Sequence, residues 1–480
     1  MKKNKKIVCI IGAGPSGLGC CYELHKQNSK DKVFILDKND RVGGLARTHE
    51  WKHRFFDVGP HRFFTKNHEV LALWKKILKK DLITVNRLTR ILYKNKLFLY
   101  PVRLTDVVGK LGIKESIECF MSYLYSKITY VHKEPTTFEE WITKHFGKKL
   151  YSIFFKTYTE KVWGIPCNNI GAEWASQRIK NLNFYEVVKT AIFGERVRKA
   201  KSLVDSFYYP TKGAGFFYEK LSDQVIRKGS EIKLKSIVTS ILYKKNRIAA
   251  VSYQKNGKQN TIPVDYLFSS MPLTNFIEAL SPRPPKEVLQ AAKKLYYRDH
   301  ITVNLLVSKN NLFPDNWIYV HSPEVQMARV TNYNNFTGHP VVRSSNRQSA
   351  ISVEYFVFKN DHLWNLTDKE LISLAKKELE KARLINEKDV MNGFVVRELE
   401  SYPTYYMGHK KYFEILKNYV SQFVNLQLIG RGGMYKYNNM DHAIYSGLLA
   451  ARNYVSGKKR YDVWKINEDA EYLEYDKIKA

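Results

Sequence analysis

The residues best placed to do chemistry lie in the first forty positions. Gly12-Ala13-Gly14-Pro15-Ser16-Gly17 fits the pattern G-x-G-x-x-G. An apolar run, Lys-Ile-Val-Cys-Ile-Ile from Lys6 to Ile11, precedes it, as a buried parallel strand would. A helix-like stretch from Leu18 to Gln27 follows, then a second apolar strand from Lys32 to Leu36, with Asp37 at its end. Gly12 permits a tight turn, Gly14 lets backbone approach a pyrophosphate, and Gly17 lets helix and strand pack closely. The helix N-terminus would present free N–H groups and a positive dipole end to that pyrophosphate. Asp37 would accept hydrogen bonds from a ribose hydroxyl pair and would repel a 2′-phosphate, which disfavours NADP. A bland strand–turn–helix could carry one of these signals. Strand, glycines, helix, strand and acid in this order predict a dinucleotide site.

Other chemistry-bearing residues are more ambiguous on type alone. His61 follows an irregular Gly59-Pro60 turn, where it could be functional or merely satisfied by backbone. The stretch Leu150 to Gly164 is rich in aromatics, which at helical spacing are more often core than ligand site. Tyr158 and Trp163 nonetheless have polar tips suited to a half-open pocket wall, whereas Phe154 and Phe155 read as core. Arg298 is an even choice between substrate contact and surface charge. Five cysteines (Cys9, Cys20, Cys21, Cys119, Cys167) form no metal-ligand spacing. They read as buried thiols in a reducing, cytoplasmic compartment, and no metal is expected.

The elements that must position these groups come from a chain of 480 residues, long enough for two or three lobes. Hydrophobic residues make up 44%, with no uncharged apolar run long enough to span a bilayer. The basic N-terminus leads into the first strand, so no signal peptide is expected. Net charge is +33, from 79 basic and 46 acidic residues. Such an excess can mark nucleic-acid or anionic-membrane binding. The lysines are scattered rather than massed, so solvated faces are expected and no nucleic-acid partner. Peripheral membrane contact stays open. Arg87 to Tyr100 reads as a hairpin around Lys94-Asn95, and the pattern turns helical from Leu104 to about Glu195. Thr136 to Trp141 looks like a capped helix start. A helix to about Lys228 precedes short strands at Glu231–Val238, Ser240–Tyr243, Ile248–Gln254 and Asn260–Pro263, then an apolar strand from Asp265 to Met271. From Pro282 to about Val395, alternating strands predict an antiparallel sheet, with an amphipathic helix from Thr367 to Arg383.

Several segments carry a family resemblance. Arg41-Val42-Gly43-Gly44 and Arg47-Thr48 resemble the R-x-G-G-x-x-x-T continuation of the FAD-binding amine oxidase, protoporphyrinogen oxidase and UDP-galactopyranose mutase superfamily. Gly59, Pro60, His61, Phe63 and Thr65, followed by Trp74, resemble the mutases' G-P-H-x-F-H-T stretch over the flavin, with Phe64 in place of their second histidine. Phe154, Phe155, Tyr158, Thr159, Lys161, Trp163 and Gly164 resemble their F-F-x-x-Y-T-x-K-x-W-G segment. Ala175 to Lys180 is similar to the start of their lid, but the clamping arginine four residues after Arg178 is replaced by Leu182. Arg178, Lys180, Arg196, Arg198 or Lys201 would have to substitute. Pro210 to Gly215 resembles a superfamily turn before a helix. Arg329 resembles a phosphate-facing arginine, Glu354-Tyr355 an E-Y pair, and Tyr402 a substrate tyrosine. Gly430-Arg431 through Tyr437 to Met440-Asp441 is similar to the mutases' closing G-R-x-G-x-Y-x-Y-x-D/N-M-D and the long helix after it.

The resemblance implies an α/β fold: a Rossmann-like FAD-binding domain with an inserted helical lobe and an antiparallel β-sheet substrate domain. Expected boundaries are 1–103, 206–275 and 396–460 for FAD binding, 104–205 for the helical lobe, 276–395 for the sheet and 461–480 for a tail. It implies FAD held by Gly12, Gly14, Pro15, Ser16, Gly17, Asp37, Lys38, Arg41, Gly43, Gly44, Leu45, Gly59, Pro60, His61, Val238, Gly430, Arg431, Met440 and Asp441. His61, Arg329 and Tyr437 would be catalytic, and Trp163, Tyr158, Arg178, Arg298 and Tyr402 would bind substrate. The implied activity is a nucleotide-sugar mutase, interconverting pyranose and furanose rings through attack of reduced-flavin N5 on the anomeric carbon. The alternative is an FAD-dependent oxidoreductase of the amine oxidase, protoporphyrinogen oxidase or desaturase type, taking hydride from a small substrate. Oligomeric state, sugar and nucleotide are left undetermined.

Overall fold

The computed structural model describes residues 5–102, 104–179, 206–336 and 348–467, with the side chains of Leu104 and 176–179 excepted. Its centre is a five-stranded parallel sheet in the order Leu426–Leu428, Tyr266–Ser269, Ile7–Ile11, Lys32–Leu36, Glu231–Lys233. Both faces are buried, which is why the strands read as continuous apolar runs rather than alternating ones. Val8, Ile10, Val33 and Ile35 pack toward one core, while Cys9, Ile11, Phe34 and Leu36 pack toward another. The first core is closed by helices Pro15–Lys26, Gly215–Arg227 and Met440–Ser456. The first and last of these cross at glycines. A Cβ on Gly447 would lie 2.1 Å from the Ser16 carbonyl oxygen, and one on Gly19 would lie 3.0 Å from that of Ile444. This crossing joins the two ends of the chain on one side of the sheet.

A four-stranded sheet lies over the opposite core. The run expected as one strand from Glu231 to Val238 is divided here. Glu231–Lys233 joins the parallel sheet, Lys235 turns with φ +53°, and Ser236–Lys244 starts the second sheet. The turn is fixed because Lys235 N donates to Asn39 O and Ser236 N to Asp37 O, each at 2.8 Å.

The third layer is a seven-stranded sheet, ordered Val390–Pro403, Tyr297–Val307, Ser349–Val357, Arg329–Asn332, Trp317–Val320, Thr89–Tyr93, Lys96–Leu99. Its pairings are antiparallel apart from the one that joins Trp317–Val320 to the Thr89–Tyr93 hairpin. The strand Arg329–Asn332 ends at Asn332, and Tyr333–Asn335 forms a tight helical turn capped by the Asn332 side chain. One face of the sheet is apolar: Ile301, Val303, Leu305, Ile351, Val353 and Tyr355 pack under helix Asp368–Lys381, whose Thr367–Glu370 capping box fixes its start. The other face carries His300, Thr302, Asn304, Ser352 and Glu354, all buried. A buried polar face must be hydrogen-bonded or functional.

The helical lobe centres on Ile113–Thr129 and Phe138–Phe146; the capped start expected over Thr136 to Trp141 is a Thr137–Glu140 capping box. Its core takes in Ile91 and Phe98 of the hairpin, so the hairpin anchors the lobe to the sheet edge. A π-helical turn at Ser152–Lys156 leads into Thr157–Trp163. The fold is thus mixed α/β, with a parallel Rossmann-like sheet, a four-stranded sheet over one of its faces, a helical lobe and a seven-stranded, largely antiparallel sheet. Among the described residues no helix is long and apolar enough to cross a membrane.

Candidate active site

The carboxyl ends of the parallel strands Ile7–Ile11 and Lys32–Leu36 lead into Gly12 and Asp37, on the edge where open α/β sheets bind their ligands. Gly12 (φ +102°) follows Ile11, and a Cβ on Gly17 would meet Gly12 O at 1.9 Å, so only glycine permits this turn. Pro15 opens the first helix, Ser16 is buried behind it, and Gly14 caps it without a side-chain hydrogen bond. Gly43 (φ +104°) and Gly44 (φ +53°) bring a second glycine turn against the first. A Cβ on Gly14 would lie 3.7 Å from Gly44 Cα, and one on Gly44 3.2 Å from Gly14 Cα. Two facing glycine turns beside a helix N-terminus form a slot without side chains, which fits a diphosphate. Leu45 lies in the same turn, half-buried.

Asp37 is buried, and its carboxylate accepts from Ala13 N at 2.7 Å and Asn39 N at 2.8 Å. Burial raises its pKa, opposed by those two hydrogen bonds and by Arg47. Each oxygen keeps a second lone pair for a ribose hydroxyl. Ser236 N binds Asp37 O, which sets the strand carrying half-buried Val238 beside this acid. Arg41 pairs with Asp40 at 3.3 Å and donates to Thr48 O, while Lys38 is exposed. From the other chain end, Gly430 (φ +74°) abuts Ser16: a Cβ there would lie 2.4 Å from Ser16 Oγ. The final helix starts at Met440, with Asn439 N donating to His442 Nδ1 at 3.2 Å and Asp441 buried in its first turn. Glycine turns, a buried acid and helix termini together fit the dinucleotide predicted from sequence.

A second cluster surrounds the Gly59-Pro60-His61 turn. Gly59 has φ +80°, and a Cβ on it would meet Glu354 Oε2 at 3.1 Å and Arg329 Nη2 at 3.5 Å. Arg329 and Glu354 form a bidentate pair, Nε to Oε1 at 2.6 Å and Nη2 to Oε2 at 2.5 Å. His300 Nε2 lies 2.9 Å from Glu354 Oε2. Burial alone would raise the Glu354 pKa, but Arg329 and His300 together hold it down at about 2, so it is ionised. His61 Nδ1 lies 2.9 Å from Gly59 O; a carbonyl can only accept, so Nδ1 carries the proton and Nε2 keeps its lone pair. Burial and the Arg431 charge lower the His61 pKa to about 3, so it is neutral.

Arg431 sits over two phenol rings, Cζ 4.7 Å from the Tyr402 centroid and 5.4 Å from that of Tyr437. The two rings stack 5.4 Å apart. Arg431 Nε donates to Asn438 O at 2.9 Å and Nη1 to Ser401 O at 3.2 Å, which fixes the guanidinium plane. Tyr158 stacks on His321 with centroids 4.8 Å apart, and its pKa is pushed well up by burial, with Arg329 opposing. Trp163 is buried; its ring meets Trp174 at 4.7 Å and Tyr437 at 6.1 Å, so it backs the tyrosine wall. Tyr437 also lines an open cavity of about 710 Å³ with Trp174, Tyr405, His409 and Lys436.

The structure therefore brings together His61, Tyr158, Arg329, Tyr402, Arg431 and Tyr437, with Trp163 behind them. It does not bring Arg298. That guanidinium is neither a surface charge nor a pocket group: it is buried, donating to Phe356 O at 2.6 Å, to Lys161 O and Val162 O at 3.3 Å each, and to Asp361 at 3.3 Å. Carbonyls at the end of Thr157–Trp163 need a cation there, so Arg298 ties the lobe to the sheet. Only the backbone of Arg178 is described, in helix Ala172–Ile179, while Lys180, Leu182, Arg196, Arg198 and Lys201 lie outside the described residues. Sequence reasoning missed His300 and His321. The signal for His300 was a polar residue at every second position, 298 to 304, within a strand buried throughout. Among the described residues no group of three or more His, Cys, Asp or Glu side chains could hold a metal.

The chain matches the family described as flavin containing amine oxidoreductase over residues 15–454, and it belongs to that family. Its cofactor is FAD, which the glycine slot and Asp37 fit. The Klebsiella pneumoniae protein described as "probable UDP-galactopyranose mutase" is 30% identical over 176 residues, 35% of this chain and 44% of that protein. The Escherichia coli dTDP-fucopyranose mutase is 30% identical over 171 residues, 34% of this chain and 44% of that protein. These matches span less than half the length of either relative. The crystal structure of reduced UDP-galactopyranose mutase superposes with a TM-score of 0.84 over 98% of each chain at 18% identity, a likeness of fold.

Proposed function

We propose that this flavoenzyme is a nucleotide-sugar mutase that interconverts pyranose and furanose rings of a sugar carried on a nucleoside diphosphate. One observation carries the reading: among the described residues two guanidinium groups, Arg329 and Arg431, and three phenols, Tyr158, Tyr402 and Tyr437, converge beside the Gly59–His61 turn. Arg329 and Arg431 against Glu354 leave one net positive charge, suited to a diphosphate. Among the described residues Nη1 of Arg329 has no protein acceptor, so its donors are available to an anion while Glu354 holds the fork in plane. Tyr402 and Tyr437 offer hydroxyl donors and stacked faces to the same group. His61, neutral at physiological pH, would accept a hydrogen bond at Nε2 rather than supply a charge. Reduced FAD would supply a nitrogen nucleophile for covalent catalysis at the anomeric carbon. The protein's task is then to bind, orient and neutralise the diphosphate, not to abstract a proton. The partial likeness to two nucleotide-sugar mutases supports this reading.

The test incubates dithionite-reduced holoenzyme with UDP-galactofuranose and with dTDP-linked furanoses, and follows pyranose formation by chromatography. Conversion that falls about tenfold in Tyr437→Phe, a loss on the scale of one hydrogen bond to a charged group, is expected. No conversion of any nucleotide sugar refutes the proposal. An oxidoreductase is the second reading, favoured by Leu182 standing where the mutases have their lid arginine. Net flavin reduction by an amine or porphyrinogen, with hydrogen peroxide formed in air, would establish it instead.

A further inference from the structure

Helix Ile113–Thr129 has two apolar faces. Its inner face, with Cys119 and Ser126 buried, packs into the lobe core. On the outer face Ile113, Ile117, Phe120, Met121, Leu124 and Ile128 recur at three- and four-residue spacing and are all exposed, Ile113 and Ile128 by 78% and 77%. Scattered exposed apolar residues need no explanation, but a continuous stripe along a helix does. Val108 and Val131, in the flanking segments, are exposed as well.

Lys114 and Lys127 border the stripe on its two sides, as their helical positions dictate. Among the described residues neither has an ion-pair partner. The helix's own acids are turned to lysines elsewhere, Glu115 to Lys94 at 3.6 Å and Glu118 to Lys149 at 2.6 Å. Tyr125 is exposed beside the stripe, with the amphipathic ring that suits a lipid–water boundary. An apolar stripe edged by lysines on a chain of net charge +33 is the pattern of an interfacial helix.

We propose that this face of the lobe docks on an anionic lipid surface, the stripe entering the acyl boundary and Lys114 and Lys127 meeting headgroups. A second copy of the chain is the less favoured occupant. Two-fold pairing of the same face would bring its lysines against their own counterparts, between molecules already strongly cationic. A lipid headgroup supplies the opposite charge. The inference does not depend on which sugar or reaction the flavin site serves.

The test is sedimentation of holoenzyme with vesicles of equal parts phosphatidylglycerol and phosphatidylcholine, and with phosphatidylcholine alone, at low and physiological salt. Binding to the anionic vesicles is expected, weakened by salt. Phe120→Asp with Ile128→Asp should reduce partitioning by about 100-fold, through lost apolar burial and added repulsion. Lys114→Gln with Lys127→Gln should weaken binding and flatten its salt dependence. Both pairs are exposed, so flavin content and melting temperature should be unchanged, which separates lost docking from lost folding. No sedimentation with anionic vesicles, or equal sedimentation of the aspartate variant, overturns the proposal. So does a wild-type dimer that the aspartate variant converts to monomer, which would assign the face to a second copy.

Discussion

Glu354→Gln probes the centre of the polar face. In the wild type one carboxylate receives two bonds from Arg329 and one from His300, at 2.5 to 2.9 Å, in a fully buried position. Glutamine keeps one acceptor but turns an N–H₂ toward donors and leaves the Arg329 charge without its counter-ion. The carboxyl pKa falls from 4.5 to about 2 in the folded protein. At about 1.4 kcal/mol per unit, that difference corresponds to roughly 3 kcal/mol of stability at neutral pH. This agrees with the cost of breaking a buried pair by removing one partner, about 3 to 5 kcal/mol. The sign follows from the depressed pKa. The contribution is complete above the unfolded value of 4.5 and is lost as pH falls toward about 2. At pH about 3 the wild-type advantage should shrink by roughly 2 kcal/mol, because the unfolded carboxyl is by then mostly protonated. The assay is urea unfolding of oxidised holoenzyme, wild type and E354Q, followed by tyrosine and tryptophan fluorescence from neutral to acid pH. A wild-type advantage that is absent at neutral pH, or that stays constant down to pH about 3, would refute the ion-pair account.

Gly17→Ala places a methyl 1.9 Å from Gly12 O, so the glycine turn must open; the purified variant should lack the visible flavin band that the wild type shows. Arg298→Lys cannot reproduce three carbonyl contacts and one carboxylate contact from a planar fork. It should lower stability by about 2 kcal/mol while the KM for substrate stays unchanged; a raised KM at full stability would return Arg298 to the substrate site. All five cysteines are buried and unbridged, and burial pushes Cys9 and Cys21 up to about 12. Native holoenzyme should therefore be inert to an aromatic disulfide reagent at neutral pH, with all five thiols reacting in denaturant; a fast-reacting native thiol would contradict that packing.

The cofactor cradle was legible in the sequence because its physics is local. A turn at Gly12, a helix start at Pro15 and an acid at the end of the next strand are set by neighbours in the chain, and their spacing is the signal. The same holds for the capped helix start read over Thr136 to Trp141, where Thr137 is the cap. The division of 231–238 between two sheets was not local: Lys235 turns because the carbonyl of Asn39, far away in the chain, accepts its N–H. Arg298 needed the tertiary structure for the same reason, since carbonyls at 161, 162 and 356 meet only when lobe and sheet pack together. Glu354, His300 and Arg329 come from three strands, and no spacing along the chain records their meeting or the charge states it imposes. The sequence alone determined that the chain can hold a dinucleotide diphosphate, because the glycine turns and helix start that cradle it are dictated by adjacent residues. Which arginine faces the pocket and which is locked in the interior was decided by packing, because desolvation and ion pairing depend on what the fold brings alongside.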